Sequence, residues 1–374
     1  MARGRSTTAR RHAARDGSTG PPSPLLWPLT FWAPEIFAHI EDPDDQPARR
    51  PIGIDAIAAG GAARTREVRE RVILETPFYA LSELALADLA PNAPSLLLVM
   101  PMSGHHSLLL RDLAGALLRD RRVFLLDWIN ARWTPPGAGA FGFGDNIGAV
   151  VAALRAVGPG AHLVGLCQSG PAAAAAAAAL HQLDDPARPA ALALLGSPID
   201  PAAAPTRVAR TLAASAPHWL DLWAIEPVPS AFPGAGRRVY PAHTHQRALL
   251  AYLARHFWRN GPLWRKVAQD DGANAGRFPF IAAFANVKDI PAEAFLENIA
   301  AVYRDRLLPR GALRWNDLAL RPDQAADMAL LTVEAEHDDV AAPGQTAAAH
   351  RLFSAVRSAR RDHLTLRAAG HFGL

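Results

Sequence analysis

The chain has a single cysteine among 374 residues, and its position suits chemistry. Cys167 lies in Gly165-Leu166-Cys167-Gln168-Ser169, directly after the apolar run His162-Leu163-Val164-Gly165-Leu166 and directly before an alanine-rich stretch. This is the Gly-x-Ser-x-Gly pattern of a nucleophile on a sharp strand-to-helix turn, with cysteine for serine and serine for the last glycine. Such a turn exposes the side chain, and small neighbours let strand and helix approach. The helix N-terminus then offers N–H groups and a favourable dipole to an anion. A thiolate is intrinsically nucleophilic, and a nearby histidine or helix N-terminus lowers a thiol's pKa. A lone cysteine is usually a small buried hydrophobe, so the assignment needs partners.

Two partners stand at equivalent places downstream. His337-Asp338-Asp339 follows the apolar run that ends near Ala335, and Ala369-Gly370-His371 follows the one that ends at Leu366. Nucleophile, acid and histidine thus come in the order Cys167, Asp338, His371, the order of α/β-hydrolase triads, each at a strand's C-terminal end. The stretch between Asp338 and His371 accommodates one helix and one strand. His371 stands out among fourteen histidines by its place after the last strand; His350 and His363 fall within a helix and a strand. Pattern does not separate Asp338 from Asp339, and Asp338 is favoured as the first acid after the strand. The oxyanion would be held by the backbone N–H of Gln168 and one from the loop of Met102 and Ser103. His105, Asp339 and Ser169 are further candidates for the pocket, although His105-His106 equally suits a helix start. Ser169 as nucleophile would sit one step too far into the helix.

The elements that must position these residues read as an α/β protein. Leu96-Leu97-Leu98-Val99-Met100, Val123-Phe124-Leu125-Leu126, residues 162–166, 191–195 and 329–333, and a last run near 363–366 are short, apolar and non-alternating. Helical stretches separate them, including 146–157, the alanine-rich segment and about 344–356. Buried strands alternating with helices imply a mostly parallel sheet covered on both faces. Between residues 200 and 328 the pattern changes to helical spacing, as in Leu249, Leu250, Leu253 and Phe257. A connection of ~130 residues must have structure of its own. It holds five of the nine tryptophans, Trp219, Trp223, Trp258, Trp264 and Trp315, and buried packing is the expected use of most. The expected organisation is a tail over 1–22, an N-terminal extension over 23–70, a core over 71–200 and 329–374, and a largely helical lid over 201–328.

Composition narrows the function. Half the residues are hydrophobic, which excludes a wholly disordered chain. One cysteine excludes an intrachain disulfide framework and a multi-cysteine zinc site, and points to a reducing compartment. The net charge of +4 resides in the tail, where Arg3, Arg5, Arg10, Arg11 and Arg15 face only Asp16. The rest of the chain is neutral, so nucleic-acid binding through the arginines is set aside and the tail is read as a solvated extension. No run of ~18 strongly apolar residues is present, so no membrane span is expected.

With these residues in view, the chain resembles the intracellular poly(3-hydroxybutyrate) depolymerases, which are similar in turn to polyhydroxyalkanoate synthases. The residues that carry the resemblance are Pro101-Met102-Ser103-Gly104-His105, Asp127-Trp128-Ile129-Asn130-Ala131-Arg132, Leu166-Cys167-Gln168 and Gly196-Ser197-Pro198-Ile199-Asp200. Further matches are Pro233-Gly234-Ala235-Gly236-Arg237-Arg238-Val239-Tyr240-Pro241, Glu336-His337-Asp338-Asp339 followed by Gly344-Gln345-Thr346, and Gly370-His371-Phe372-Gly373. The chain departs from that family at Ser169, where proline or another small residue is usual, and at Ala335, usually glycine. His371 stands three residues before Leu374, so its loop is expected to be weakly held.

The resemblance implies an α/β-hydrolase with Cys167 as nucleophile, Asp338 as acid and His371 as base, cleaving ester bonds of a stored polyester through a thioester. It implies a cytoplasmic, granule-associated protein whose partners are the polyhydroxyalkanoate granule surface or hydroxybutyrate oligomers. No cofactor or metal is expected, with coenzyme A as an alternative acyl acceptor to water. The competing readings are a synthase-like acyltransferase and a non-catalytic granule-binding homologue.

Overall fold

A computed structural model describes residues 40–59, 64–90, 92–258, 261–268 and 280–374. The expected tail over 1–22 and the first part of the extension lie outside them. Nine strands form one sheet: β1 (Ala56–Ala59), β2 (Arg64–Glu75), β3 (Tyr79–Leu86), β4 (Ser95–Val99), β5 (Arg122–Trp128), β6 (His162–Leu166), β7 (Ala191–Leu195), β8 (Ala329–Ala335) and β9 (Arg361–Leu366). Their order is β1-β2-β3-β5-β4-β6-β7-β8-β9. The first four in that order pair antiparallel and the rest pair parallel. From β2 onward this is the strand order of the α/β-hydrolase fold, and the chain has that fold.

The central parallel strands β4, β5 and β6 are buried almost end to end, which is why their sequences are largely apolar, whereas the edge strand β9 is exposed and polar. Register aligns their C-terminal ends: Val99 pairs with Gly165, Leu166 with Leu195, Leu195 with Val333 and Ala335 with Leu366. Four loops leave one sheet edge close together, those after β4, β6, β8 and β9. Strand order reverses at β4, which has β5 on one side and β6 on the other, so this edge opens at the switch point where open sheets hold ligands.

Helices α1 (Arg111–Leu117), α2 (Phe143–Val157) and α3 (Ser169–Gln182) connect the central strands. Residues 169–180 of α3 are all buried. Alanine gives the helix high propensity and a thin profile, so it lies close on β6 while α2 covers it. Between β7 and β8 lie α4 (Arg207–Ala214), α5 (Pro217–Ala224), α6 (Ala242–Trp258), α7 (Pro262–Ala268), α8 (Phe280–Ala285) and α9 (Ala292–Asn298), which runs into a π-helical turn, Ile299–Arg304. Residues Leu250, Leu253, Leu263, Val267, Ile281 and Phe284 give this insertion its own small core.

Three expectations need correction. The boundary at 70/71 cuts β2, which pairs with both β1 and β3; its many charged residues belong to an antiparallel strand rather than to an extension. The helix expected over 344–356 is α-helical only in α10 (Ala349–Leu352). Here the Glu334 carboxylate takes the N–H groups of Gly344 and Ala347, and Thr346 bonds the Ser197 backbone, so tertiary contacts tighten the chain into three-residue turns. Two tryptophans of the insertion are less buried than expected: Trp219 and Trp223 are 57% and 70% exposed, and they stack on each other.

Candidate active site

The turn between β6 and α3 places Cys167 in the left-handed region, at φ 46°. A non-glycine residue there costs roughly 1–2 kcal/mol and marks a turn held by its surroundings. The hold is visible. Cys167 N–H donates to the Leu195 carbonyl, and its own carbonyl accepts from Gly170. A Cβ on Gly165 would meet Ala173 Cβ at 2.8 Å, and one on Gly170 would meet Ser197 Oγ at 2.2 Å. The close approach that a final glycine provides in Gly-x-Ser-x-Gly is therefore made one residue later, at Gly170.

Ser169 is thereby explained, and it is not part of the pocket. It is fully buried, its hydroxyl accepts from Leu166 N–H, and it lies within hydrogen-bond distance of the Leu166 and Val99 carbonyls. It ties the turn to β6 and β4 and faces away from the cavity.

His371 Nε2 lies 3.1 Å from Cys167 Sγ, and His371 Nδ1 lies 2.7 Å from Asp338 Oδ2. The other Asp338 oxygen accepts the N–H groups of Val340 and Ala341, both at 2.8 Å, which fixes the carboxylate. The structure separates the two acids by direction. Asp339 lies outside the cavity, where it bonds Tyr252 Oη and Arg255 and lines a surface cleft with Thr206 and Arg207. Burial disfavours charge on His371, but the Cys167 sulfur and Asp338 carboxylate outweigh it and hold its pKa well above the ordinary histidine value.

The His371 loop is well held, against expectation. Phe372 packs edge-on against Phe284 at 4.9 Å and touches Tyr252 and His105 as well. Gly196, at φ +49°, leaves room beneath: a Cβ there would lie 2.3 Å from Leu374 and 3.3 Å from the His371 ring. The loops after β8 and β9 are also tied together through His337 N–H to the Ala369 carbonyl.

A cavity of about 590 Å³ opens over Cys167 and His371. Met102, Ser103, His105 and Gln168 are in its wall, and most of the remainder is apolar, with side chains from residues 108–113 and from α4, α6, α8 and α9 among them. The backbone N–H groups of Met102 and Gln168 have no acceptor among the described residues, as donors to a developing oxyanion require. Ser103 Oγ is engaged with His105 Nδ1 at 2.8 Å. Burial, then the neighbouring His245, Lys288 and His371, hold His105 far below the ordinary histidine pKa, so it is neutral.

Other buried charges, among them Asp127, Arg132 and Arg237 of the resemblance, serve the scaffold. Lys288, one of only two lysines, donates to Asp127 and to the Trp128 carbonyl, both groups fully enclosed. Arg132 forms a two-pronged pair with Asp289, and Arg237 donates to the carbonyls of Thr134, Pro135 and Gly139. The scarcity of lysine was a usable signal for Lys288. His245 and Asn298, both in the cavity wall, carry no distinguishing sequence pattern.

Residues 196–374 match the family described as PHB de-polymerase C-terminus. Over that segment the chain is similar to the PHB depolymerases. No curated protein matches the chain. Among solved structures, the chain is similar to a hydrolase from Pseudomonas aeruginosa PA01, at 18% identity and a TM-score of 0.45, over 81% of this chain and 91% of that one. It is also similar to 2-hydroxy-6-oxo-6-phenylhexa-2,4-dienoate hydrolase from Rhodococcus sp. strain RHA1, at 15% identity and a TM-score of 0.47, over 82% and 93%. A third is the naproxen esterase of Bacillus subtilis, at 16% identity and a TM-score of 0.39, over 82% and 86%. Among the described residues no helix is long and apolar enough to cross a membrane.

Proposed function

We propose that the protein depolymerises a short-chain polyhydroxyalkanoate, poly(3-hydroxybutyrate) or a close relative, through a covalent thioester on Cys167. The observation that carries the reading is the relay from Cys167 Sγ through His371 to Asp338 at the floor of a largely apolar cavity. His371 takes the Cys167 proton, and the thiolate attacks the ester carbonyl. The N–H groups of Met102 and Gln168 receive the negative charge on oxygen. Collapse breaks the ester C–O bond, and the leaving alkoxide takes the proton from His371 Nε2. Water then attacks the thioester with His371 as base, releasing the acid and restoring the thiol. A thiol acceptor such as coenzyme A fits the same step. Asp338 keeps Nδ1 of His371 protonated and stabilises the imidazolium. The exposed Trp219–Trp223 pair belongs, in this reading, to contact with the polymer granule, and the protein acts in the cytoplasm on that surface.

The test is incubation of purified protein with amorphous granules, with soluble 3-hydroxybutanoate as the readout, beside Cys167→Ala. Release by the native chain and its loss in the variant are expected. Release that persists in a folded Cys167→Ala protein would remove the cysteine mechanism.

A further inference from the structure

The cavity wall is mostly apolar, yet it includes two side chains with buried nitrogens that have no hydrogen-bond partner among the described residues: His245 Nδ1 and Asn298 Nδ2. The relay does not use them, because both His371 nitrogens are already engaged. A third such nitrogen, His105 Nε2, is accompanied by the nearby Phe284 carbonyl, and its ring is held by Ser103. Leaving a buried polar group unpaired is costly, and leucine at position 298 would fill similar volume without that cost.

His245 and Asn298 belong to one continuous stretch of wall. Phe295 precedes Asn298 by one turn on α9, so both project from the same helix face. The Tyr240 ring stacks on Phe295 with centroids 4.1 Å apart, and His245 tilts against Tyr240 at 5.5 Å. Asn298 is the last residue of α9, where the helix opens into the π-helical turn Ile299–Arg304. Such turns are rare and frequent at functional sites. His245 turns Nδ1 toward Gly104, the residue after Met102 and Ser103 in the loop that faces Cys167, so Nε2 is the ring nitrogen left to meet a ligand. Burial holds His245 neutral, with its pKa pushed down to about 4. A neutral imidazole and a carboxamide can each donate and accept.

We propose that Asn298 and His245 form a second oxygen-binding subsite, which holds the oxygen on the β-carbon of the acyl chain under attack. That oxygen is a hydroxyl at a chain end or the ester oxygen of the next unit, and groups that both donate and accept suit either. The proposal rests on the ester-hydrolase reading for its substrate. Held there, an oxygen two carbons from the scissile carbonyl would lie beside the loop that would hold the carbonyl oxygen. The subsite would discriminate oxygenated acyl chains from plain fatty acyl chains of equal length.

The test compares p-nitrophenyl 3-hydroxybutanoate, 3-acetoxybutanoate and butanoate in the native chain, Asn298→Leu and His245→Phe, with thermal melting to establish folding. The native ratio of kcat/KM for each oxygenated ester over butanoate is expected to fall about ten-fold in either variant, the equivalent of one hydrogen bond. A fall confined to the hydroxy or the acetoxy ester assigns the subsite to the chain end or to an internal unit. Ratios that stay within about two-fold of native in both variants would overturn the subsite and leave those groups as water-lined wall. Binding of ethyl 3-hydroxybutanoate against ethyl butanoate, read by calorimetry on a Cys167→Ala background, separates the two claims. A native chain that hydrolyses no ester would contradict the depolymerase reading, whereas equal affinity for the two ligands would contradict the subsite.

Discussion

Two clusters of buried polar side chains lie at the junction of sheet and insertion, and both contain residues through which the chain resembles the PHB depolymerases. Around Cys167 the polar atoms line a cavity of about 590 Å³, and the backbone is held in a left-handed turn. Around Lys288 and Asp289 the adjoining void is about 10 Å³, and the cations donate to carboxylates and carbonyls that enclose them. Shared sequence therefore mixes chemistry with architecture. What separates them is whether the polar atoms face open space. The first cluster should respond to mutation in rate and the second in stability.

Cys167→Ala should give the largest effect, a loss of about 10⁴–10⁶-fold in kcat with little change in melting temperature, since a small residue replaces a half-buried one. Asp338→Asn should follow, at about 10³–10⁴-fold in kcat, because the amide cannot hold the His371 tautomer. Asp339→Asn should change kcat by less than about three-fold, which turns a comparison of adjacent acids into a check on the directions assigned here. Lys288→Met should instead appear in denaturant titration, as a loss of about 3–5 kcal/mol, because it leaves the Asp127 charge enclosed without its partner. A Lys288→Met protein that keeps its stability and loses only kcat would erase the contrast between the clusters.

Acid should then distinguish the histidines. Burial, followed by the charges of Lys288 and Arg50, pushes His106 down to about 2, and burial pushes His245 down to about 4. Unfolded histidines titrate near 6.5, so below that pH the unfolded chain takes up protons that these folded rings refuse. Stability should therefore fall as pH drops from 6.5 towards 4, by roughly 1.4 kcal/mol per pH unit for each ring. His371 has the opposite sign: its raised pKa contributes stability that is present below about 6.5 and is lost as pH rises through its folded value. Melting curves against pH, with His106→Gln beside the native chain, read the first effect as a shallower acid slope.

The parts of the fold that were legible in sequence are those where one physical signal acts alone. Strand β6 is buried on both faces and β7 is buried on one and half-buried on the other, so His162 to Leu166 and Ala191 to Leu195 read as apolar strands with their observed ends. Strand β2 did not, because its charged residues follow an antiparallel partner rather than a buried core. Cys167 and His371 were legible from their places after strands. Asp338 and Asp339 were not separable, since the turn that points one inward is fixed by N–H groups of Val340 and Ala341. The pair of Asp127 and Lys288 joins residues 161 apart in sequence, and no local pattern announces such a contact.

The central claim is that Cys167 carries the acyl group. Rapid acid quenching during turnover of a 3-hydroxybutanoate ester, followed by peptide mass spectrometry, reads it directly. The account predicts one hydroxyacyl unit on the Cys167 peptide, released by hydroxylamine as a thioester is, and absent from Cys167→Ala. An acyl group on Ser103 or Ser169, or sustained turnover in Cys167→Ala, would contradict it.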